Sequence, residues 1–360
     1  MPSLKEIKGR INSISSTLAI TSAMKMVAAA KLQKAQMAIQ NMLPYERRLH
    51  SMLIDLMGAM NISAAASEDG SVRGSGSAER GFDQSGDRLS LSNRHDLAGM
   101  DGAYSLMAQR EVRKVAIVAF ASNSSLCGAF NSNAIREATA VINEYRASGL
   151  GDADITVYSV GRKMAEAMKK LGFPSPADFT KMSDSPSYDA ASALAQELFD
   201  GFVSGRFDKV ELVYNHYKST SSQPTTRQTY LPLSLADATA DLQAGKIADS
   251  ASESDTNRGA EPVGAPVVRQ SSPTAEASDL IVEPSKEELI ATLLPKVIRL
   301  RIFTTLLDSA AAEHAARTVA MQLATDNGND LLQELTLEYN KGRQQKITSE
   351  ILDLVGGSMQ

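Results

Sequence analysis

The sequence predicts an α/β protein in which a long helix from each end of the chain pairs with the other as an antiparallel coiled coil. Three observations predict it. Apolar residues recur at three-four spacing over both termini, short apolar runs alternate with amphipathic ones in the middle, and two Ser- and Gly-rich stretches separate these textures.

At the N-terminal end, Leu4, Ile7, Ile11, Ile14 and Leu18 form a heptad seam, and Ile20, Met24 and Val27 continue the stripe after a shift. The following "AAAKLQKAQ" is rich in strong helix formers. Apart from a kink expected at Pro44, helix can run from about Ser3 to Ala59, ~85 Å at 1.5 Å per residue. The far end repeats the theme. In "PSKEEL", Ser285 stands three residues before Glu288, a capping box that opens a helix. Ile290, Leu293, Val297 and Leu300 then keep the spacing, an Ala-rich run follows, and the pattern persists to Val355, ~105 Å if straight. A compact globule of this length is only ~50 Å across, so neither helix fits inside its own domain. Pairing the two ends solves the problem, with Ala310 to Ala316 allowing close approach of the backbones.

The middle reads differently. "VRKVAIVAF" is a short apolar strand followed by a loop and a helix from about Ala129 to Arg146. "DITVYSV" leads into "GRKMAEAMKKLG", strand then helix, with Gly172 as the expected C-cap. A further helix covers Tyr188 to Val203, and "KVELVYN" and "TRQTYLPL" supply more strands. Such alternation predicts a largely parallel, Rossmann-like α/β sheet. The stretches around "SEDGSVRGSGSAERGFDQSGDR" and "DSASESDTNRGAEPVGAP" cannot bury enough apolar surface to fold alone and read as loops or disordered insertions. The expected organisation is a coiled-coil helix over 1–60, an insertion over 61–110, an α/β domain over 111–240, an acidic insertion over 241–284 and a second coiled-coil helix over 285–360.

Composition excludes several functions. A net charge of −5 argues against general nucleic-acid binding, which needs a basic face. Charge is nonetheless uneven: residues 1–50 hold eight Lys and Arg against Glu6 and Glu46, and residues 241–290 hold ten acidic groups against four basic ones. The single Cys127 rules out an intrachain disulfide or a Cys-based zinc cage. The four His are scattered without ligand spacing, so no metal is expected. No run of 18 apolar residues suggests a membrane span.

Candidate chemistry is equally thin. The loop "ASNSSLCGAFN" follows the first strand, where α/β folds bind phosphates, yet it has one Gly and none of the phosphate-cradling patterns. Cys127 has no basic neighbour in sequence to activate it and reads as a packed thiol. "GRK" at Gly161 could hold an anion at a helix N-terminus but reads better as a solvated cationic turn. No catalytic residue, cofactor or metal site is expected. "YNKGRQQKITSE" asks for another explanation: Lys341, Arg343, Gln344, Lys346, Thr348 and Glu350 decorate a helix that has left any home domain, as if another protein surrounds it.

"LKEIKGRINSISSTLAITSAMKMVAAAKLQKAQ", "LCGAFN" and "AARTVAMQLATDN…LTLEYNKGRQQKITSEILDLVGG" together resemble the gamma subunit of F-type ATP synthases, over the whole chain except the two Ser-rich insertions. The resemblance implies a non-catalytic shaft inside a hexamer of alternating alpha and beta subunits, with the α/β domain as a foot on epsilon and the membrane c-ring. Arg343 and Gln344 match the family's Arg-Gln pair that bonds the beta catch loops, with Thr348 and Glu350 in the same contact. Met24 and Lys25 match the segment facing the beta lever, and Asn215, Tyr217 and Ser219 match the foot. Asn123, Ser124 and Ser125 stand where the family usually carries Asp, then Arg or Lys, then Gly before "LCG". A Met followed at once by the family's N-terminal motif suggests a bacterial protein without a transit peptide, held peripherally on the cytoplasmic side of the plasma membrane. A cytoplasmic coiled-coil adaptor or scaffold is the rival reading, though it leaves the α/β middle unexplained. A nucleotide-using α/β enzyme would need the missing phosphate loop.

Overall fold

A computed structural model describes residues 3–68, 110–233 and 286–358. Helix α1 covers Leu4–Glu68 and opens on a cap in which the Ser3 hydroxyl accepts the Glu6 amide at 3.2 Å. It passes through Pro44 as one helix and runs beyond the expected end at Ala59. The central elements follow in order: β1 (Val115–Phe120), α2 (Phe130–Ala147), β2 (Ile155–Val160), α3 (Arg162–Lys170), α4 (Thr180–Asp184), α5 (Tyr188–Val203), β3 (Lys209–Asn215) and β4 (Thr225–Leu231). Helix α6 (Lys286–Ser358) completes the chain and carries Pro295 within it. The capping box at Ser285 and nearly all of both insertions lie outside the described residues.

The four strands lie in the order β2-β1-β3-β4. β1 is parallel to both β2 and β3, while β4 returns antiparallel beside β3. All six residues of β1 are buried, the mark of a central parallel strand covered on both faces. Alternation along it separates two cores. Val115, Ile117 and Ala119 pack with Ala134, Ala138 and Val141 of α2 and Met164 and Met168 of α3. Ala116, Val118 and Phe120 face the other way, onto Leu194, Leu198 and Phe202 of α5 and onto Leu294, Ile298, Ile302 and Leu306 of α6. The expected C-cap is present: Phe173 N–H donates to Met168 O and Gly172 N–H to Lys169 O, with Gly172 at φ +92.

The second core draws parts of both terminal helices into the domain. The sequence predicts helices that project from the domain, but the first turns of α6 form one of the domain's own layers, joined by Leu49 and Leu53 of α1. Only past about Ala310 does α6 leave the sheet. Where it leaves, Ala311 and Ala315 pack on Leu32 of α1. Further along, Thr325 donates to Thr21 at 3.1 Å. Gly328 then lies so close to Leu18 that a Cβ would come within 2.7 Å of its Cδ2, and Gly342 lies beside Leu4. Each step up one helix is a step down the other, so the register is antiparallel throughout.

Candidate functional site

That register decides what happens at the tip. Leu4 opens α1 and sits opposite Gly342, so residues 343–358 of α6 run past the beginning of α1. Sixteen residues of helix are roughly 24 Å long. Arg343, Gln344, Thr348 and Glu350 are all exposed on this overhang. Lys346 pairs with Glu350 at 3.8 Å, and the Thr348 hydroxyl donates back to Gln344 O at 2.9 Å. Interleaved with them are Ile347, Ile351, Leu352 and Leu354, which are 48, 54, 64 and 74% exposed. Isolated apolar residues at a surface are ordinary, but with Val355, 50% exposed, these make five within nine residues at the end of one helix. Sequence reasoning identified the polar residues here and passed over these apolar ones, whose spacing was readable.

Met24 and Lys25 are half-buried further down α1, between exposed Ile20 and exposed Met26 and Val27. The structure keeps them well away from the overhang along the shaft: Thr21, close by in sequence, meets Thr325.

The three residues expected at the foot separate. Asn215 is buried, donating to Phe130 O at 3.2 Å and accepting from Thr225 Oγ1 at 2.7 Å. Tyr217 is half-buried against the shaft rather than on the outer surface. Ser219 is exposed in the β3-β4 loop, where its hydroxyl accepts the Ser222 amide. The resemblance placed these three residues at the foot, but strand alternation past Asn215 could not say that the turn folds back onto the shaft.

Where domain and shaft meet, the loop after β1 is closed on itself. Ser122 N–H donates to Asn131 Oδ1 at 2.9 Å, and Asn131 Nδ2 donates to Ser124 O at 3.1 Å. At the start of α3, Arg162 N–H donates to Asn123 Oδ1 at 2.7 Å and Lys163 N–H to Ser122 O at 3.1 Å. These amides, which would cradle an anion, are spent within the chain. Ser124, where the family usually has a basic residue, accepts from Arg317 of α6 at 2.7 Å. Arg317 also pairs with Glu313 at 2.8 Å. Burial pushes the Glu313 carboxyl up, against the pull of Arg317. The same burial, with Lys31 and Arg317 nearby, pushes His314 down to about 4 and leaves it neutral. Cys127 is buried beside Phe130 and Ala312. Among the described residues no cluster of His, Cys, Asp and Glu could hold a metal, and no helix is long and apolar enough to cross a membrane.

Comparison with known proteins fits this geometry. A family model described as ATP synthase matches residues 3–359. The ATP synthase gamma chain of Phocaeicola vulgatus is 47% identical over 359 residues, covering 100% of both chains. That of Bacteroides thetaiotaomicron is 45% identical over 360 residues with the same coverage. A chain of the Euglena gracilis mitochondrial ATP synthase, solved with OSCP, F1 and c-ring in rotational state 3, aligns with a TM-score of 0.54 at 18% identity, covering 99% of this chain and 93% of that one. At that identity the likeness speaks for the fold.

Proposed function

The chain belongs to the ATP synthase gamma-chain family, and from that premise we propose how its parts divide the work. Its two helices are the central rotor shaft of a proton-driven F1Fo ATP synthase, and its α/β domain is the foot that turns with the c-ring. Residues 343–358 enter the bore of the alpha-beta hexamer. There Arg343, Gln344, Thr348 and Glu350, with Met24 and Lys25 lower on the shaft, bear on the beta subunits. Ser219 lies on the side facing epsilon and the c-ring, on a hairpin held by Asn215 and Tyr217. The chain itself is non-catalytic and is held peripherally, through the complex, on the cytoplasmic side of a bacterial plasma membrane.

The overhang is the observation that carries this reading. A helix that runs sixteen residues past the start of its partner, polar on some faces and apolar on others, is complementary to a sleeve that surrounds it, because no single flat surface would cover all of its faces. A shaft needs stiffness and asymmetry rather than a reactive group. As the foot turns, the unequal faces of the coiled coil reach three beta subunits in succession and bias each toward an open, loose or tight state. Exposed polar contacts suit such a bearing, since each contributes only ~0 to 1 kcal/mol and can be broken at every step. An adaptor or scaffold role has no support in the relatives. A tagged chain should copurify with a nucleotide-binding hexamer, and inverted membrane vesicles lacking the chain should lose ATP-driven acidification. Recovery of the chain with an unrelated partner and without the hexamer would refute the proposal.

A further inference from the structure

Tyr217 stands where the α/β domain and both shaft helices meet. Its backbone N–H donates to Asp308 Oδ1 of α6 at 2.9 Å, and the neighbouring His216 Nδ1 meets the other carboxylate oxygen at 2.6 Å. Its phenol oxygen accepts from Gln36 Nε2 of α1 at 2.6 Å. Its side chain packs against the cluster of Leu32, Ala311 and Ala315 and against that of Cys127, Phe130 and Ala312. Ala311 and Ala315 have i, i+4 spacing with Ala312 beside them, so their small methyl groups leave room on α6 that a flat ring can fill.

We propose that Tyr217 is the positioning residue that keys the α/β domain to both helices of the shaft, so that a turn of the domain loads α1 and α6 together. The proposal rests on the rotor reading above. Its physical basis is the contrast between the available contacts. Dispersion contacts among alanines are individually weak and have little direction, so two smooth helices resist sliding poorly at this level. A hydrogen bond is directional and weakens steeply when bent. Beyond the core in which Leu49 and Leu53 join α1 to the domain, Asp308 grips only α6, and at this level load would reach α1 across the alanine surface. The Tyr217 phenol and Gln36 supply the direct path. Below it, Asn215 fixes the end of β3 to Phe130 O and Thr225, so the hairpin that carries the ring is itself braced.

The test uses the assembled complex with a bead on the α/β domain and the rotor stalled by an inhibitor, so that the angular variance of the bead reports torsional compliance. Gln36→Leu removes the hydrogen bond to α1 and Tyr217→Phe removes it together with a 3.4 Å contact to Thr220 Oγ1 inside the hairpin loop, which does not reach the shaft; both keep most of the packing, and Tyr217→Ala removes bond and packing together. If α1 and α6 share the load equally, losing one path roughly doubles the joint's contribution to the variance in Tyr217→Ala. The two milder variants should show a smaller, matching rise, and their combination should be no worse than either alone. Arg146→Gln, on the far side of the domain, should change nothing. Unchanged variance in Tyr217→Phe and Gln36→Leu, or effects that add, would overturn the proposal even if Tyr217→Ala fails to assemble. A wild-type bead that never rotates with ATP would instead refute the rotor reading.

Discussion

Replacing Glu211 by Ala should loosen the hairpin that carries this joint. Glu211 is 1% exposed on β3. It accepts from the Tyr145 hydroxyl at 2.6 Å, from Arg227 Nε at 2.7 Å and a second Arg227 nitrogen at 3.1 Å, and pairs with Lys209 at 2.6 Å. Burial pushes its carboxyl up, but the hydrogen bonds from Arg227, Lys209 and Tyr145 outweigh burial and hold it below the usual range. Breaking a fully buried pair costs about 3–5 kcal/mol. Here the Arg227 and Lys209 side chains keep 27% and 26% of their surface open, so water can reach the stranded cations. The lower end of the range applies, about 3 kcal/mol. With a urea dependence of about 2 kcal/mol per molar, the unfolding midpoint of the α/β domain should fall by roughly 1.5 M. The protein has no Trp, so near-ultraviolet tyrosine dichroism follows the transition, with buried Tyr145, Tyr158 and Tyr230 as reporters. Glu144→Ala removes an exposed partner of the same Arg227 and should cost no more than about 0.5 kcal/mol. A Glu211→Ala midpoint within about 0.3 M of wild type would refute the reasoning, since it would mean that the cluster stabilises nothing.

Arg343 and Gln344 lie past the paired part of the shaft, so replacing both by Ala should move the melting curve of the isolated chain by less than about 0.5 kcal/mol while lowering ATP synthesis or assembly clearly; a matching loss of stability would show that they only hold the helices together. Asp308, helped by its hydrogen bond and opposed by burial and Lys218, raises the His216 pKa. A raised histidine contributes stability that is complete below its unfolded value and lost as pH rises through the folded one. The difference in urea midpoint between wild type and His216→Gln should therefore be greatest below the ordinary histidine value of about 6.5 and shrink as pH rises above it, and a difference that grows would contradict the pairing. ATPase activity of the complex should be equal in oxidising and reducing buffer, because the lone Cys127 has no partner in the chain for a disulfide; a thiol-dependent change that persists in Cys127→Ala would place the redox group in another subunit.

Both long helices were legible because their evidence is local. The seam from Leu4 to Leu18 and the spacing from Ile290 to Leu300 announce a buried face within a few turns. What that face meets is not local. Leu294 and Ile298 follow the same spacing as a coiled coil, yet they pack on a β-sheet, because periodicity reports that a face is covered and not by what. The sheet could be read from "VAIVAF" and its successors, whereas the antiparallel return of β4 depends on a turn without a distinctive signature. The overhang becomes visible only once Gly342 is placed opposite Leu4. Least legible was the joint: Gln36 and Tyr217 are 181 residues apart and Tyr217 and Asp308 are 91 apart, and single polar contacts at such separations leave no period in the sequence.

The central claim is that this chain transmits rotation. The most direct measurement anchors the alpha-beta hexamer, assembled with the chain, to a surface and follows a bead on the exposed face of the α/β domain while ATP is hydrolysed. The account predicts unidirectional rotation in three equal steps per turn, halted by whatever halts hydrolysis. An assembled complex that hydrolyses ATP at full rate while the bead only fluctuates about one angle would contradict it.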